Sequence, residues 1–155
     1  SQGGDLYYLT WSDTVPLKAS APVGPVWHGG EIRAIAFSPD DNLVAFNSGG
    51  RGIYVYDFAS NKTTPILADN RNFAVTDVYW KQATDSISFI GGPWGKPWSE
   101  YVLKLGRKQG DGSVASGIGG NGELVPIGEP LPIAAGAQVD YHRDRTCTIK
   151  PALCD

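Results

Sequence analysis

The chain writes one hairpin twice. "IRAIAFSPDDNLVAF", from Ile32 to Phe46, is followed 43 positions later by "VTDVYWKQATDSISF", from Val75 to Phe89. At that offset Ile35 falls on Val78, Phe37 on Trp80, Val44 on Ile87 and Phe46 on Phe89. Further on, "IYVYDF" (Ile53 to Phe58) resembles "EYVLKL" (Glu100 to Leu105) at an offset of 47. The second unit has therefore gained four residues, within "GGPWGKPWSE". A unit this short cannot bury both faces of its own sheet, so its neighbours must cover it.

Inside each unit the apolar residues alternate. Ile35 and Phe37 share one face and Ala34 and Ala36 the other; Tyr54 and Tyr56 lie opposite Ile53, Val55 and Asp57. Period two in β-branched and aromatic residues argues for strands. "SPDDN", "SGGRG" and "ASNKTT" supply the turns between them, and "PILAD" reads as a fourth strand. Each unit thus predicts three or four short antiparallel strands. "DLYYLTW" (Asp5 to Trp11) looks like "IYVYDF" and is expected to be the tail of a preceding unit. "AQVDYH" (Ala137 to His142) puts Val139 and Tyr141 in the places of Ile35 and Phe37, and "TCTIK" follows as a second strand. Gly106 to Glu123 has seven glycines in 18 residues and no period, so a mobile loop or an excursion between strands, not a domain linker, is expected there. No segment has a helical period.

With 155 residues, 41% apolar and 19% charged, the chain suits one domain with a real core. Its 20 Gly and 11 Pro favour turns over long helices. The expected organisation is a single domain over 1–155, with units at roughly 1–27 (partial), 28–70, 71–131 and 132–155 (partial). A net charge of -3 without a basic cluster argues against nucleic acid as a partner. No apolar run approaches the roughly 18 residues of a membrane span. The chain has no methionine, so its N-terminus is expected to result from processing. Cys147 and Cys154 are the only cysteines and close neighbours, which favours a disulfide and an extracytoplasmic protein. Two buried thiols, or a zinc site with His142 that lacks a clear fourth ligand, are the alternatives.

"HGGEIRAIAFSPDDNLVAFNSGGRGIYVYD" resembles a repeat of the WD-repeat and TolB-like β-propellers. The matching features are His28, the turn Ser38-Pro39-Asp40-Asp41, the small-residue strand "LVAFNS" and the pair Tyr56-Asp57. The second unit departs from the pattern: Lys81-Gln82-Ala83-Thr84 replaces the turn and Lys104 replaces the Asp. The resemblance implies an all-β fold of four-stranded antiparallel blades packed face to face round an axis. It also implies structural hydrogen-bonding roles for His28, Asp40 and Asp57. About three blade equivalents can be counted, fewer than the roughly four to eight of closed propellers. That implies an incomplete propeller, one completed by a homo-oligomer (about six blades for a dimer), or strands that fold as an open sheet or sandwich.

The chain carries no nucleophile elbow, no paired-histidine zinc motif and no phosphate loop, and it has only two histidines. No catalytic residue, metal or cofactor is expected. The inserted loop is the most suggestive local feature. Trp94 and Trp98, with Lys96 between them, sit in a Pro/Gly loop at a predicted blade edge, and Arg51 occupies the corresponding turn of the first unit. Asn61-Lys62-Thr63 matches the N-glycosylation pattern in a predicted turn. The expected function is a non-enzymatic interaction module, outside the cytoplasm (secreted, periplasmic or cell surface), that presents loops to a protein or glycan partner. The alternatives are an accessory propeller domain of a larger hydrolase or peptidase, and a structural subunit of a surface assembly.

Overall fold

A computed structural model of the protein describes residues 4–10, 20–50, 52–68, 73–81 and 85–133. These residues form eleven strands and no helix, in three antiparallel sheets. The first sheet pairs β1 (Gly4–Tyr8) with β2 (Val23–Gly29). The middle sheet is a four-stranded meander of β3 (Ile32–Phe37), β4 (Leu43–Ser48), β5 (Gly52–Asp57) and β6 (Lys62–Leu67). The third begins as a meander of β7 (Phe73–Trp80), β8 (Ser86–Pro93) and β9 (Ser99–Lys108). β9 outruns β8, and its last residues pair on that edge with β10 (Val114–Ser116). β11 (Glu123–Pro132) takes the other edge of β9.

The strand ladders reproduce the sequence offsets. In the first repeat Ile32 faces Ser48, Ile35 faces Phe46 and Phe37 faces Val44. In the second, Val75 faces Gly91, Val78 faces Phe89 and Trp80 faces Ile87, each partner 43 positions on. Both ladders slip by a bulge at the same place, after Ile32 and after Val75. The next ladder runs from Leu43 opposite Asp57 to Ser48 opposite Gly52. Its counterpart runs from Ser86 opposite Lys104 to Gly91 opposite Ser99, with the second strand shifted by 47. The four extra residues are therefore absorbed wholly in the β8–β9 loop, and register is otherwise kept.

β4 is buried along its whole length because both of its faces are covered. Val44 and Phe46, with Tyr56, pack towards Leu6, Tyr8, Val26 and Trp27 of the first sheet. Leu43 and Ala45, with Ile53 and Val55, pack towards Val75, Val78, Ile87, Phe89, Leu103 and Leu105 of the third. The order of layers is thus first sheet, middle sheet, third sheet. Near-continuous apolar sequence in β4 and alternation elsewhere follow from that order.

Polar side chains fix the layers to one another. Asn47 is fully buried, and its Oδ1 accepts from the backbone N–H groups of Arg33 and Ala34 at the β3 bulge. Its Nδ2 donates to the carbonyls of Val75 and Thr76 at the β7 bulge. One amide thereby satisfies backbone groups that both bulges free from their ladders. Trp80 Nε1 donates to the Ala36 carbonyl at 2.9 Å, and on the other side Trp27 Nε1 donates to Ser48 Oγ at 3.1 Å.

Two features differ from the sequence reading. β2 spans a stretch that alternation does not mark, since Gly24 and Pro25 interrupt it; it lies at an edge, where proline is tolerated. The glycine-rich stretch after Leu105 is an ordered hairpin over Gly106–Ser116, carrying the end of β9, β10 and a tight turn at Gln109–Ser113. Glycine there serves close approach: a Cβ on Gly106 would stand 2.5 Å from the Ala115 carbonyl oxygen.

Candidate functional site

The β8–β9 loop begins where the two strands stop pairing, at Gly91 opposite Ser99. Lys96 N–H donates to the Pro93 carbonyl at 3.1 Å, which closes a four-residue turn over Trp94 and Gly95. Gly95 has φ 76°, the value that a type II turn needs at its third position. The turn sets Trp94 at a corner facing outwards, 58% exposed. Pro97 then returns the chain to β9, with Trp98 56% exposed at its start and packed over Gly92. Lys96, between the two tryptophans in sequence, is exposed. Two tryptophans that keep more than half of their surface in water, four residues apart on a short hairpin end, form the most distinctive exposed apolar feature among the described residues.

The same end of the sheets carries the β4–β5 turn, where Gly49 N–H donates to the Glu31 carbonyl and the Gly50 carbonyl accepts from Val75 N–H. Glu31 and Arg33 form an exposed ion pair there at 2.8 Å. Arg51, expected on this rim, lies outside the described residues.

The residues expected to be structural do hold hydrogen bonds, with one change of place. His28 lies in β2, in the first sheet rather than at the head of the middle one, and its Nδ1 meets Asp5 Oδ1 across the β1–β2 ladder. Asp40 organises the β3–β4 turn: its carboxylate accepts from Ser38 Oγ at 2.6 Å and from the Asn42 side chain at 2.9 Å. Those two bonds, Ser38's the larger, hold its carboxyl below the usual carboxylate range. Ser38 Oγ in turn accepts from Leu43 N–H, and Asp41 takes the left-handed conformation.

Asp57 is buried at the end of β5, where its Oδ1 accepts from Ala59 and Ser60 N–H. Its Oδ2 accepts from Arg107 Nη1 at 2.7 Å. Burial pushes its carboxyl up, but the Arg107 guanidinium and the two amides outweigh that and leave it lowered. Arg107 also donates to the carbonyls of Ile118 and Gly122. The sequence reading missed Arg107: it sits in the glycine-rich stretch, fifty positions from its partner, with no local pattern to mark it.

Asn61 is exposed in the β5–β6 turn at φ 52°, and its Oδ1 accepts from Tyr56 OH. Among the described residues no group of three His, Cys, Asp or Glu side chains converges on a metal-sized site, and no helix is long and apolar enough to cross a membrane. Cys147, Cys154 and His142 lie outside the described residues. No protein-family model matches the chain, and neither a curated protein nor a solved structure is detectably similar to it.

Proposed function

We propose that the two repeated units are blades of an incomplete β-propeller-type scaffold and that the chain is a non-enzymatic binding module. It presents the Trp94–Trp98 loop to a glycan or protein partner outside the cytoplasm. The single observation that carries this reading is the pair of exposed indoles on a short turn anchored to two long strands. An indole offers a large flat apolar face with one polar edge, which suits stacking on a sugar ring or anchoring in a partner's pocket. A rigid sheet beneath it lowers the ordering cost of binding. Support for the scaffold comes from the shared ladder register of the two units and their face-to-face packing. Support for the location comes from the two cysteines, Cys147 and Cys154, being close neighbours in sequence, and from the exposed Asn61 sequon.

The test is a glycan array on the full chain, followed by titration calorimetry of each hit against Trp94→Ala and Trp98→Ala. Loss of at least about tenfold in affinity for either variant supports a glycan site. If no glycan binds, the same variants are compared on purified protein candidates. Binding that is unchanged by both substitutions removes the loop from the reading.

A further inference from the structure

The loop between β10 and β11, residues 117–122, is tied down by one side chain. Arg107 Nε donates to the Ile118 carbonyl at 2.9 Å, and Nη1 donates to the Gly122 carbonyl at 3.1 Å. Nη1 also donates to Asp57 Oδ2 at 2.7 Å. One guanidinium thus closes the loop at both ends and joins it to the middle sheet. Asn121 sits inside that closure and is exposed. Its own carbonyl accepts from Gln109 Nε2 at 3.2 Å, and among the described residues its carboxamide has no hydrogen-bond partner.

Of the asparagines in the chain, only Asn121 is followed by glycine. That order matters chemically. A main-chain nitrogen can attack the carboxamide carbon of the residue before it and close a five-membered ring. A side chain on the second residue crowds this attack, and Gly122 has none. Gly122 is also fixed in place: its φ is 117°, and a Cβ there would stand 2.5 Å from the Lys108 carbonyl oxygen. Before Asn121 that constraint is absent, since a Cβ on Gly119 or Gly120 would meet nothing within 4 Å. The Asn121 Cα and side chain can therefore swing onto the Gly122 nitrogen while the Gly122 carbonyl stays on Arg107.

The neighbouring hairpin shows the opposite arrangement. Asp111 also precedes a glycine, but its Oδ1 accepts from Ser113 N–H at 2.9 Å and from Ser113 Oγ at 2.6 Å. Those bonds, the hydroxyl's the larger, hold its carboxyl below the usual carboxylate range. An ionised carboxylate engaged with Ser113 is a poor target for the nitrogen of Gly112.

We propose that Asn121 is a site of self-modification, at which the Gly122 nitrogen converts it to aspartate and isoaspartate, and that the isoaspartate form loosens the Arg107 closure. The Gly122 nitrogen bonds to Asn121 Cγ, and the carboxamide nitrogen leaves as ammonia, taking up the proton that Gly122 gives up. One water then opens the ring. Opening at Cγ gives aspartate. Opening at the main-chain carbonyl carbon gives isoaspartate, whose main chain runs through Cβ and Cγ. The balance is one water consumed and one ammonia released, with no oxidation or reduction. Either product adds one negative charge. Only isoaspartate adds a carbon to the main chain between the two carbonyls that Arg107 holds. The guanidinium then cannot keep Ile118, Gly122 and Asp57 together in their present positions. This inference is independent of the tryptophan loop, which lies in the β8–β9 connection.

The test is storage of the full chain at mildly alkaline pH, followed by peptide mapping with mass spectrometry and by labelling with an isoaspartyl methyltransferase. A synthetic peptide of residues 116–126 gives the rate without the fold. Exchange of amide for acid is expected at Asn121 ahead of every other asparagine, with isoaspartate labelling that tracks it. The stored wild type is expected to melt at a lower temperature than fresh protein. Stored Asn121→Gln is expected to stay unmodified at that position. Fresh Asn121→Asp, which adds the charge without the extra carbon, is expected to melt with fresh wild type. In Arg107→Ala, or in Arg107→Lys should the first variant fail to fold, storage is expected to lower the melting temperature far less than in the wild type. An Asn121 that stays intact while the peptide converts overturns the proposal. So does a fully converted chain that melts like fresh protein. An Asn121→Asp that melts as low as the stored wild type overturns it too, because charge alone would then act.

Discussion

Arg107 of β9 reaches out of the third sheet to place Nη1 2.7 Å from Oδ2 of Asp57 at the end of β5, and both side chains are buried. The pair joins the two repeats at the end of the sheets opposite the tryptophan loop. Every polar atom the pair uses is matched: two backbone amides bind the other carboxylate oxygen, and two carbonyls accept from the guanidinium. Removing one partner leaves a buried charge unpaired, which typically costs about 3–5 kcal/mol. Arg107→Ala is expected to destabilise by that amount in guanidinium denaturation at neutral pH, and Arg107→Lys by less, since one of the three acceptors can still be reached. A cost under about 1 kcal/mol for Arg107→Ala would show that water or neighbouring groups compensate.

The same pair sets an acid response. Asp57 is held below its ordinary carboxylate value in the folded chain. A group with a lowered folded pKa stabilises above its unfolded value, near 3.9, and that contribution is lost as pH falls through the folded value. The stability gap between the wild type and Asp57→Asn is therefore expected to be full at pH 7 and to narrow below about pH 4. Denaturation curves at a series of pH values check this. A gap that stays constant down to pH 2 would detach Asp57 from the acid response.

Asn47 gives a third test, from the repeat itself. Its counterpart at offset 43 is Ile90, so the second unit lacks this amide. Asn47→Ile matches the repeat and suits the apolar core, yet it strands backbone groups of β3 and β7 that no ladder partner satisfies. Each such buried group costs about 1–3 kcal/mol. Asn47→Ile is expected to lose at least about 2 kcal/mol in chemical denaturation, whereas Ile90→Val, a conservative trim, is expected to cost about 1 kcal/mol or less.

The parts of the fold legible in the sequence are those built on local period. Alternation in β3 and β5, and the two offsets, are enough to place these strands and their counterparts in the second unit, and the ladders then fix the register, because a one-residue slip would turn each apolar set to the wrong face. What stayed hidden depends on distant partners. β2 holds its place through Leu6 and Thr63 rather than through its own broken pattern. Arg107 has its meaning only once Asp57 is beside it. Ile35 and Phe37 carry the same core-like alternation as Val78 and Trp80, but among the described residues no layer covers the first pair as β3 and β4 cover the second. At the candidate site, composition picked out Trp94, Lys96 and Trp98, while their exposure follows from the turn at Gly95.

That exposure separates the loop from the core in a way that can be measured. Trp94 and Trp98 keep more than half of their surface in water, so replacing either with alanine gives up much less buried area than replacing a core aromatic. Each is expected to cost about 1 kcal/mol, the centre of the range for point substitutions. Phe89 is fully buried and stacks on Tyr101 with ring centroids 5.5 Å apart, so Phe89→Ala is expected to cost about 3–5 kcal/mol. Thermal melts of the three variants should therefore split into two slightly lowered curves and one strongly lowered one. If Trp94→Ala or Trp98→Ala also falls by several kcal/mol, the indoles serve to cap the end of the sheet. If both variants melt close to the wild type, any binding they lose is a loss at the loop itself.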